Sequence, residues 1–398
     1  MSSGRSAGAE TPPFTVVHVI TRLELGGAQE NTLYTCEHLD PRRFRVVLAF
    51  GPGGLLDERL REAPPSLSPA PVRDLVREIS PRRDVRALTR LGEILQREQR
   101  RHREAGGRPE RFVVHTHSSK AGILGRLAAK RSGVRSVVHT IHGFGFHDGQ
   151  TWPKYQLFLN AERAVARWTL AFVGVSHSNL DEARRKGIIR PRHRVELIRS
   201  GMDLSALRGL PEPAAARRAL GLPEDAEVVL SIANFKPQKD PLTLIDAFAR
   251  VAARRTRAHL VVAGDGELRS AVEARMHPIR ERVHLLGWRQ DVPRLLAAAD
   301  VVALSSIFEG LPRSAVQAVA ARRPFAGTAV DGTPEIIREG RNGYLVAPRD
   351  PIALAAAIER ALIERPVDPE DEARIEAWDA DRMVRAQEDL YASLAPSA

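Results

Sequence analysis

The chain reads as α/β, two doubly wound parallel sheets in tandem, on three observations. Its 398 residues, 43% hydrophobic and 27% charged, suffice for two cores of roughly 150–200 residues each. Short β-branched runs alternate with segments of helical period, the pattern of parallel strands joined by crossover helices. That alternation pauses at a Pro- and Gly-bearing stretch, 206–225, and then begins again.

Taken in order, residues 1–13 are mostly Ser, Gly, Ala and Pro with no apolar run and are expected to be a disordered tail. Strands are predicted at 14–20, 44–50, 112–115, 134–140 and 170–175; the first ends in a loop, 21–27, that leads into a helix at 28–38. The segment 82–104 predicts an Arg-rich helix with Val85, Leu88, Leu91, Ile94 and Leu95 along one side. It is read as a crossover helix with a solvated basic face rather than as a membrane-docking element. Residues 14–205 make the first domain, 206–225 a linker and 226–375 the second domain. In the second, strands are expected at 227–232, 259–263, 283–285, 301–304, 324–327 and 344–346. Helices are expected at 241–254, 267–276, 292–299, 313–321, 333–339 and 351–364. A C-terminal helix, 376–398, is expected to return toward the first domain. Open α/β sheets bind ligands beyond the carboxyl ends of their strands, so the site is expected in a cleft where the two sets of loops face each other.

Composition narrows the function. The single cysteine, Cys36, can form no intrachain disulfide, and no apolar stretch approaches the roughly 18–20 residues of a membrane-spanning helix. A reducing cytoplasm is the expected location. The net charge of +11 is uneven: residues 1–200 carry 34 Lys and Arg against 20 Asp and Glu, and residues 201–398 carry 26 against 29. A basic half attracts nucleic acid, anionic lipid or an anionic substrate through the same long-range field. Only six of the 60 basic residues are lysines, which makes their positions informative.

Gly26 and Gly27 lie between a strand and a helix, where bare backbone and a helix N-terminus can meet a phosphate; a plain tight turn is the alternative. Gly264-Asp265-Gly266 lacks the third glycine of a dinucleotide fingerprint, because Arg269 stands there. Lys236 and Lys239 follow the strand at 227–232, a placement that suits a departing diphosphate as well as a solvated loop. Glu309-Gly310-Leu311-Pro312 precedes a helix that also carries Gln317, so a carboxylate stands beside main-chain amides. His115 and His117 share one face of a strand end, with His139, His142 and His147 nearby. Asp148 is the only carboxylate close by and no pair has standard ligand spacing, so no metal site is expected.

Together these pieces resemble the retaining glycosyltransferases of family 4, which have the GT-B fold of two facing Rossmann-like domains. The resemblance runs from Phe14 to about Tyr391 and keeps the family's order. It comprises Leu-Gly-Gly-Ala-Gln at 25–29, His-Thr-His-Ser-Ser-Lys-Ala-Gly at 115–122, His-Thr-Ile-His-Gly at 139–143, Val-Ser-His-Ser at 175–178 and Ile-Arg-Ser-Gly-Met-Asp at 198–203. It continues with Pro-Gln-Lys-Asp at 237–240, Ala-Gly-Asp-Gly-Glu-Leu-Arg at 263–269, Leu-Gly-Trp-Arg-Gln-Asp-Val at 286–292, Glu-Gly-Leu-Pro-Arg-Ser-Ala-Val-Gln-Ala at 309–318 and Asp-Gly-Thr-Pro-Glu at 331–335. Details at 119–122, 142–146 and 236–239 look like members that build capsular, exopolysaccharide or other cell-envelope glycans.

The resemblance implies transfer of a sugar from a UDP- or GDP-linked donor to a glycan or lipid-linked hydroxyl, with retention, no metal and no cofactor. By carry-over, Gly26 and Gly27 approach the donor, Lys239 binds the diphosphate, Glu309 contacts the donor sugar and His117 lines the reaction centre. Gly310, Leu311 and Pro312 hold sugar or phosphate by main-chain groups, and the segment from Gly287 to Val292 borders the nucleobase. Two positions depart from the family: its usual arginine is Asn234, with Lys236 the substitute, and its second glutamate is Gln317. Glutamine still hydrogen-bonds hydroxyls but donates as well as accepts. The basic first half suits a peripheral enzyme on an anionic inner membrane face. The alternatives are a nucleotide-sugar epimerase of similar fold, a histidine-metal hydrolase and a basic nucleic-acid-binding protein; the last lacks aromatic interleaving, and no nucleic acid is expected as a partner.

Overall fold

The computed structural model describes residues 14–146 and 150–395. The expected N-terminal tail, His147 and Asp148 lie outside the described residues. The described residues form two compact units: 14–146, 150–175, 180–198 and 383–395 make the first, and 176–179 and 199–382 the second.

The first unit is a sheet of seven parallel strands: β1 (Phe14–Arg22), β2 (Phe44–Gly51), β3 (Leu67–Pro71), β4 (Phe112–His117), β5 (Ser136–Ile141), β6 (Ala171–Gly174) and β7 (Arg194–Leu197), in the order β3-β2-β1-β4-β5-β6-β7. The chain works outward from β1 to β3 and then returns to lay β4 beside β1, so the switch of winding falls between β1 and β4. Alternate residues face opposite sides. Val16, Ile20, Val46 and Val113 pack under the helix Gly27–His38 and the C-terminal helix Ala380–Leu394, against Leu33, Cys36, Leu390 and Tyr391. Val17, Val19, Val47 and Val114 pack on the other side against Leu91, Ile94 and Leu95 of the helix Pro81–Glu104 and Ala128 of the helix Ser119–Arg131. Val85, expected on the apolar side of the Arg-rich helix, is instead 64% exposed, and the buried stripe runs through Ala87, Leu91, Ile94, Leu95, Glu98 and His102. Spacing explains the difference, since a stripe centred on Leu91 and Leu95 takes in position 87 and leaves 85 on the flank.

The second unit holds six parallel strands: β8 (Glu227–Ile232), β9 (Ala258–Ala263), β10 (Val283–Leu285), β11 (Val301–Leu304), β12 (Phe325–Thr328) and β13 (Gly343–Val346), in the order β10-β9-β8-β11-β12-β13. Its switch of winding falls between β8 and β11. The core joins Val229, Leu260, Val262 and Val301 to Leu244, Phe248 and Val251 of the helix Pro241–Arg254 and to Leu354 and Ile358 of the helix Pro351–Glu364. Residues 206–225, read from sequence as a linker, contain a helix, Pro213–Ala219, with its proline at the first helical position. Ala216 packs on Ala297 and Ala298 of the helix Val292–Ala298, and Arg217 ion-pairs with Asp300 at 2.8 Å.

Candidate functional site

In the second unit the polar groups gather at the carboxyl ends of β8 and β11, the switch point at which an open α/β sheet offers its crevice. Beyond β8 the chain turns through Asn234 to Lys239, and Asp240 adopts a left-handed conformation (φ 45°) as the N-cap of the next helix. Aspartate tolerates that conformation better than most residues, and Thr243 Oγ1 donates to its carboxylate at 2.7 Å. Beyond β11, Ser305 and Ser306 act in different directions. Ser305 Oγ lies 2.8 Å from the carbonyls of Lys239 and Asp240 and ties the two loops together. Ser306 Oγ donates to Glu309 Oε1 at 2.5 Å. Lys239 Nζ ion-pairs with the same Oε1, so the two residues named from sequence meet.

The Glu309 loop is held at both ends. Its own amide donates to Asp331 Oδ2 at 2.5 Å, and Gln238 donates to the Phe308 carbonyl at 2.9 Å. Burial pushes the Asp331 carboxyl above the usual range, against the pull of that amide. Pro312 is the N-cap of the helix Arg313–Ala320, and its carbonyl accepts from Ala315 and Val316. The amides of Gly310 and Leu311 donate to no group among the described residues and can serve a ligand. Gln317 lies in the second turn of that helix, partly exposed.

Asn234, where the family has arginine, carries a buried Oδ1 with no hydrogen-bond partner among the described residues. Lys236 follows in the same loop, its amide 3.0 Å from the Asn234 carbonyl. Gly287 has φ 66° with open space where a side chain would stand, and its carbonyl accepts from Gly264 at 2.8 Å. Gly264 in turn lies so close to the loop after β8 that an added Cβ would sit 2.0 Å from the Ala233 carbonyl oxygen. The glycines at 264 and 266 thus serve a backbone crossing, in keeping with rejection of a dinucleotide reading.

In the first unit Gly26 is the extended N-cap (φ 170°) of the helix Gly27–His38, beyond the carboxyl end of β1, and both glycines are partly exposed. Next to β1, β4 ends at His117 and Ser118, the latter at φ 58° and ψ 163°. Such strain in a non-glycine residue is found mostly at ligand-binding turns. Here Thr21 Oγ1 meets Ser118 Oγ at 3.0 Å and stitches the ends of β1 and β4 together.

His117 is 2% exposed and both of its ring nitrogens are engaged: Nε2 lies 2.9 Å from His18 Nδ1, and Nδ1 lies 3.2 Å from His142 Nε2. His142 is the partly exposed ring of the row, and its Nδ1 has no hydrogen bond among the described residues. The sequence assigned the ligand-facing role to His117; the geometry gives the open nitrogen to His142. Burial lowers the pKa of His18 to about 3 and of His142 to about 4, and holds His115 and His117 well below the usual range, so all four rings are neutral near pH 7. His18, His115 and His117 each place a nitrogen within 4.8 Å of the others, close enough to hold a metal ion. All six of their nitrogens already meet neutral partners: one another, His142, Tyr391 and Thr140. The donor set therefore fits a hydrogen-bonded network.

Sequence reasoning missed Ser305, Ser306 and Asp331, which carry only the weak signal of short polar loops after strands. It also missed His18 and Tyr391, which look like core. Among the described residues, no helix is long and apolar enough to cross a membrane.

Comparison with known proteins bears on both units. A family model described as "Glycosyl transferase 4-like domain" matches residues 26–201, and one described as "Glycosyl transferases group 1" matches residues 226–364. The UDP-Gal:alpha-D-GlcNAc-diphosphoundecaprenol alpha-1,3-galactosyltransferase of Escherichia coli is 28% identical over 341 residues, 84% of each chain. A D-inositol 3-phosphate glycosyltransferase of Thermobispora bispora is 30% identical over 288 residues, which cover 65% of this chain and 64% of that relative's length. Among solved structures, Anabaena HepE in complex with UDP-glucose superposes with a TM-score of 0.78 at 18% identity, over 96% of this chain and 100% of that one. That likeness identifies the GT-B fold.

Proposed function

From the premise that the chain belongs to the glycosyltransferases of the group 1 and family-4-like kind, we propose that it moves a sugar with retention from a UDP-sugar to a lipid-linked or glycan hydroxyl in cell-envelope synthesis. The observation that carries this reading is the Lys239–Glu309 pair at the β8–β11 switch point, beside the open amides of Gly310 and Leu311. The Escherichia coli relative is a UDP-Gal transferase by name and Anabaena HepE is solved in complex with UDP-glucose, which favours uridine over guanosine. The undecaprenol carrier in the relative's name favours a lipid-linked acceptor.

The bond between the sugar C1 and the diphosphate breaks, and C1 bonds to the acceptor oxygen on the same face. The acceptor's hydroxyl proton passes to the departing diphosphate. Double displacement would instead need a free carboxylate nucleophile with a second carboxyl group nearby. Glu309 is engaged by Lys239 and Ser306, which suits a hydrogen-bond acceptor for sugar hydroxyls better than a nucleophile. Lys239 neutralises charge as it gathers on the leaving group, and main-chain amides do the same without reorganising. The Asn234 Oδ1, buried and unpartnered, is available to a donor hydroxyl, a contact the family's arginine would not make. His142, rather than His117, offers its ring nitrogen to a sugar or acceptor hydroxyl. No metal enters these steps. The test is a thermal-shift panel of nucleotide sugars, followed by turnover of the best binder with EDTA present. Stabilisation by a UDP-sugar and turnover in chelator are expected; loss of turnover that Mg²⁺ or Mn²⁺ restores would refute the metal-free mechanism.

Peripheral attachment to an anionic membrane belongs to the same proposal. It is supported by the basic first half of the chain. Binding of the full chain to anionic vesicles is expected to weaken as salt rises. Equal affinity for neutral vesicles would remove the electrostatic attachment.

A further inference from the structure

The histidine row ends deep inside the first unit on a residue from the far end of the chain. Tyr391, on the helix Ala380–Leu394 and fully buried, donates its hydroxyl proton to Gln387 Oε1 at 3.1 Å, and the Gln387 amide nitrogen donates in turn to Thr35 Oγ1 at 3.2 Å. The phenol has one proton. Once that proton is committed to Gln387, the tyrosine oxygen can only accept from its two remaining neighbours, His115 Nδ1 at 2.5 Å and His18 Nε2 at 3.4 Å.

The rest follows by counting protons, because a neutral imidazole has one N–H and one lone pair. His18 with its proton on Nε2 presents a lone pair at Nδ1 and so must accept from His117 Nε2. His117, protonated on Nε2, presents a lone pair at Nδ1 and must accept from His142 Nε2. His142 is left with its proton on Nε2 and a bare lone pair at Nδ1. On the side branch, His115 with its proton on Nδ1 accepts at Nε2 from the Thr140 hydroxyl at 2.7 Å. Every bond in the row has one donor and one acceptor, and no ring is charged.

We propose that Tyr391 is a positioning residue which, through His18 and His117, fixes His142 as a hydrogen-bond acceptor at its open Nδ1, so that this ring accepts a hydrogen bond from a hydroxyl of its ligand and does not donate one. The assignment of that ligand rests on the glycosyltransferase reading; the tautomers do not. Removing the phenol oxygen with Tyr391→Phe leaves the His18 Nε2–H facing a hydrocarbon ring. A buried N–H without an acceptor is less tolerable than a bare lone pair, so the row reverses in concert and His142 then presents an N–H at Nδ1.

Long-range ¹H–¹⁵N correlation spectra of the full chain labelled at histidine nitrogens test this. In the parent protein His18, His117 and His142 are expected to carry their protons on Nε2 and His115 on Nδ1. A proton on Nδ1 of His117 or His142 would overturn the proposal before any variant is made. In Tyr391→Phe the His142 proton is expected to move to Nδ1, and kcat to fall about tenfold with a smaller change in donor KM. If His142 keeps its proton on Nε2 in a folded Tyr391→Phe protein, the coupling is refuted. His18→Phe, which cuts the row one ring later, is expected to release His142 in the same way while Tyr391 and His115 remain paired; an unchanged His142 there refutes it equally. Parent tautomers as stated together with no transferase turnover would leave the relay standing and sink the functional reading instead.

Discussion

At the residue scale, the most exacting position is Lys239. Its ammonium is shared with Glu309, whose carboxylate also receives the Ser306 hydroxyl, so on the proposed function an entering diphosphate would compete for a cation that already has an anionic partner. A charge placed in advance acts without reorganising when the leaving group becomes negative. Lys239→Ala is expected to lower kcat by roughly 10²-fold or more and also to lower the melting temperature, since it leaves the buried Glu309 carboxylate without its cation, so kcat is read well below the unfolding transition. Turnover near the parental rate in a purified assay would take Lys239 out of the chemistry. Lys239 and Glu309 were legible in the sequence because each follows a strand in a loop of distinctive composition. His142 was legible as a histidine but not as the open one. The choice between it and His117 depends on which ring nitrogens the fold consumes, and no spacing rule reports that.

At the element scale, the central strands were legible and the edges were not. β1, β4 and β8 are buried along almost all of their length and were legible from their β-branched apolar segments, although β1 and β4 also bury histidines and threonines. β3 contains Pro69 and Pro71 and sits at one end of its sheet, paired only with β2. A strand there can do without some N–H donors, and its prolines hid it. β7, at the other edge, is short and carries Arg194 and Glu196, so it looks like loop. Equally hidden was the tie between two helices. Arg126 on Ser119–Arg131 is 0% exposed and donates to Glu162 of the helix Trp152–Ala166 at 2.5 Å and to the Gly122 carbonyl at 2.8 Å. Removing one member strands a buried charge, so Glu162→Ala is expected to cost about 3–5 kcal/mol in urea unfolding, and the double change Arg126→Met with Glu162→Leu is expected to recover most of it. A single variant within about 1 kcal/mol of the parent would mean that water already reaches the guanidinium.

At the scale of the whole molecule, charge and burial combine into a dependence on pH. His18, His115, His117, His139 and His142 all lie in the first unit, and burial holds each ring below its ordinary pKa, to about 3 for His18 and about 4 for His142. In the unfolded chain the same rings titrate near 6.5. Below that pH the unfolded state takes up protons that the folded state refuses, so the rings' contribution is complete above about 6.5 and is lost as pH falls toward 4. Carboxylates held low by ion pairs and hydrogen bonds, such as Glu227 and Asp291, weaken only beneath the ordinary carboxylate range. Glu37 and Asp331, raised by burial, act in the opposite sense from the ordinary carboxylate range upward, two groups against five rings. The interval from about 6.5 to 5 therefore belongs to the histidines. For His18 and His142, held near 3 and 4, the loss at pH 5 is on the order of 1–2 kcal/mol each, and His115, His117 and His139 act in the same direction. Protonation also adds positive charge to the half of the chain that already has the excess. Urea unfolding followed from pH 7.5 to 5.0 is expected to show a steep loss of stability with uptake of several protons. A profile flat across that interval would require rings that are charged inside the folded unit, and the neutral row from Tyr391 to His142 would not exist.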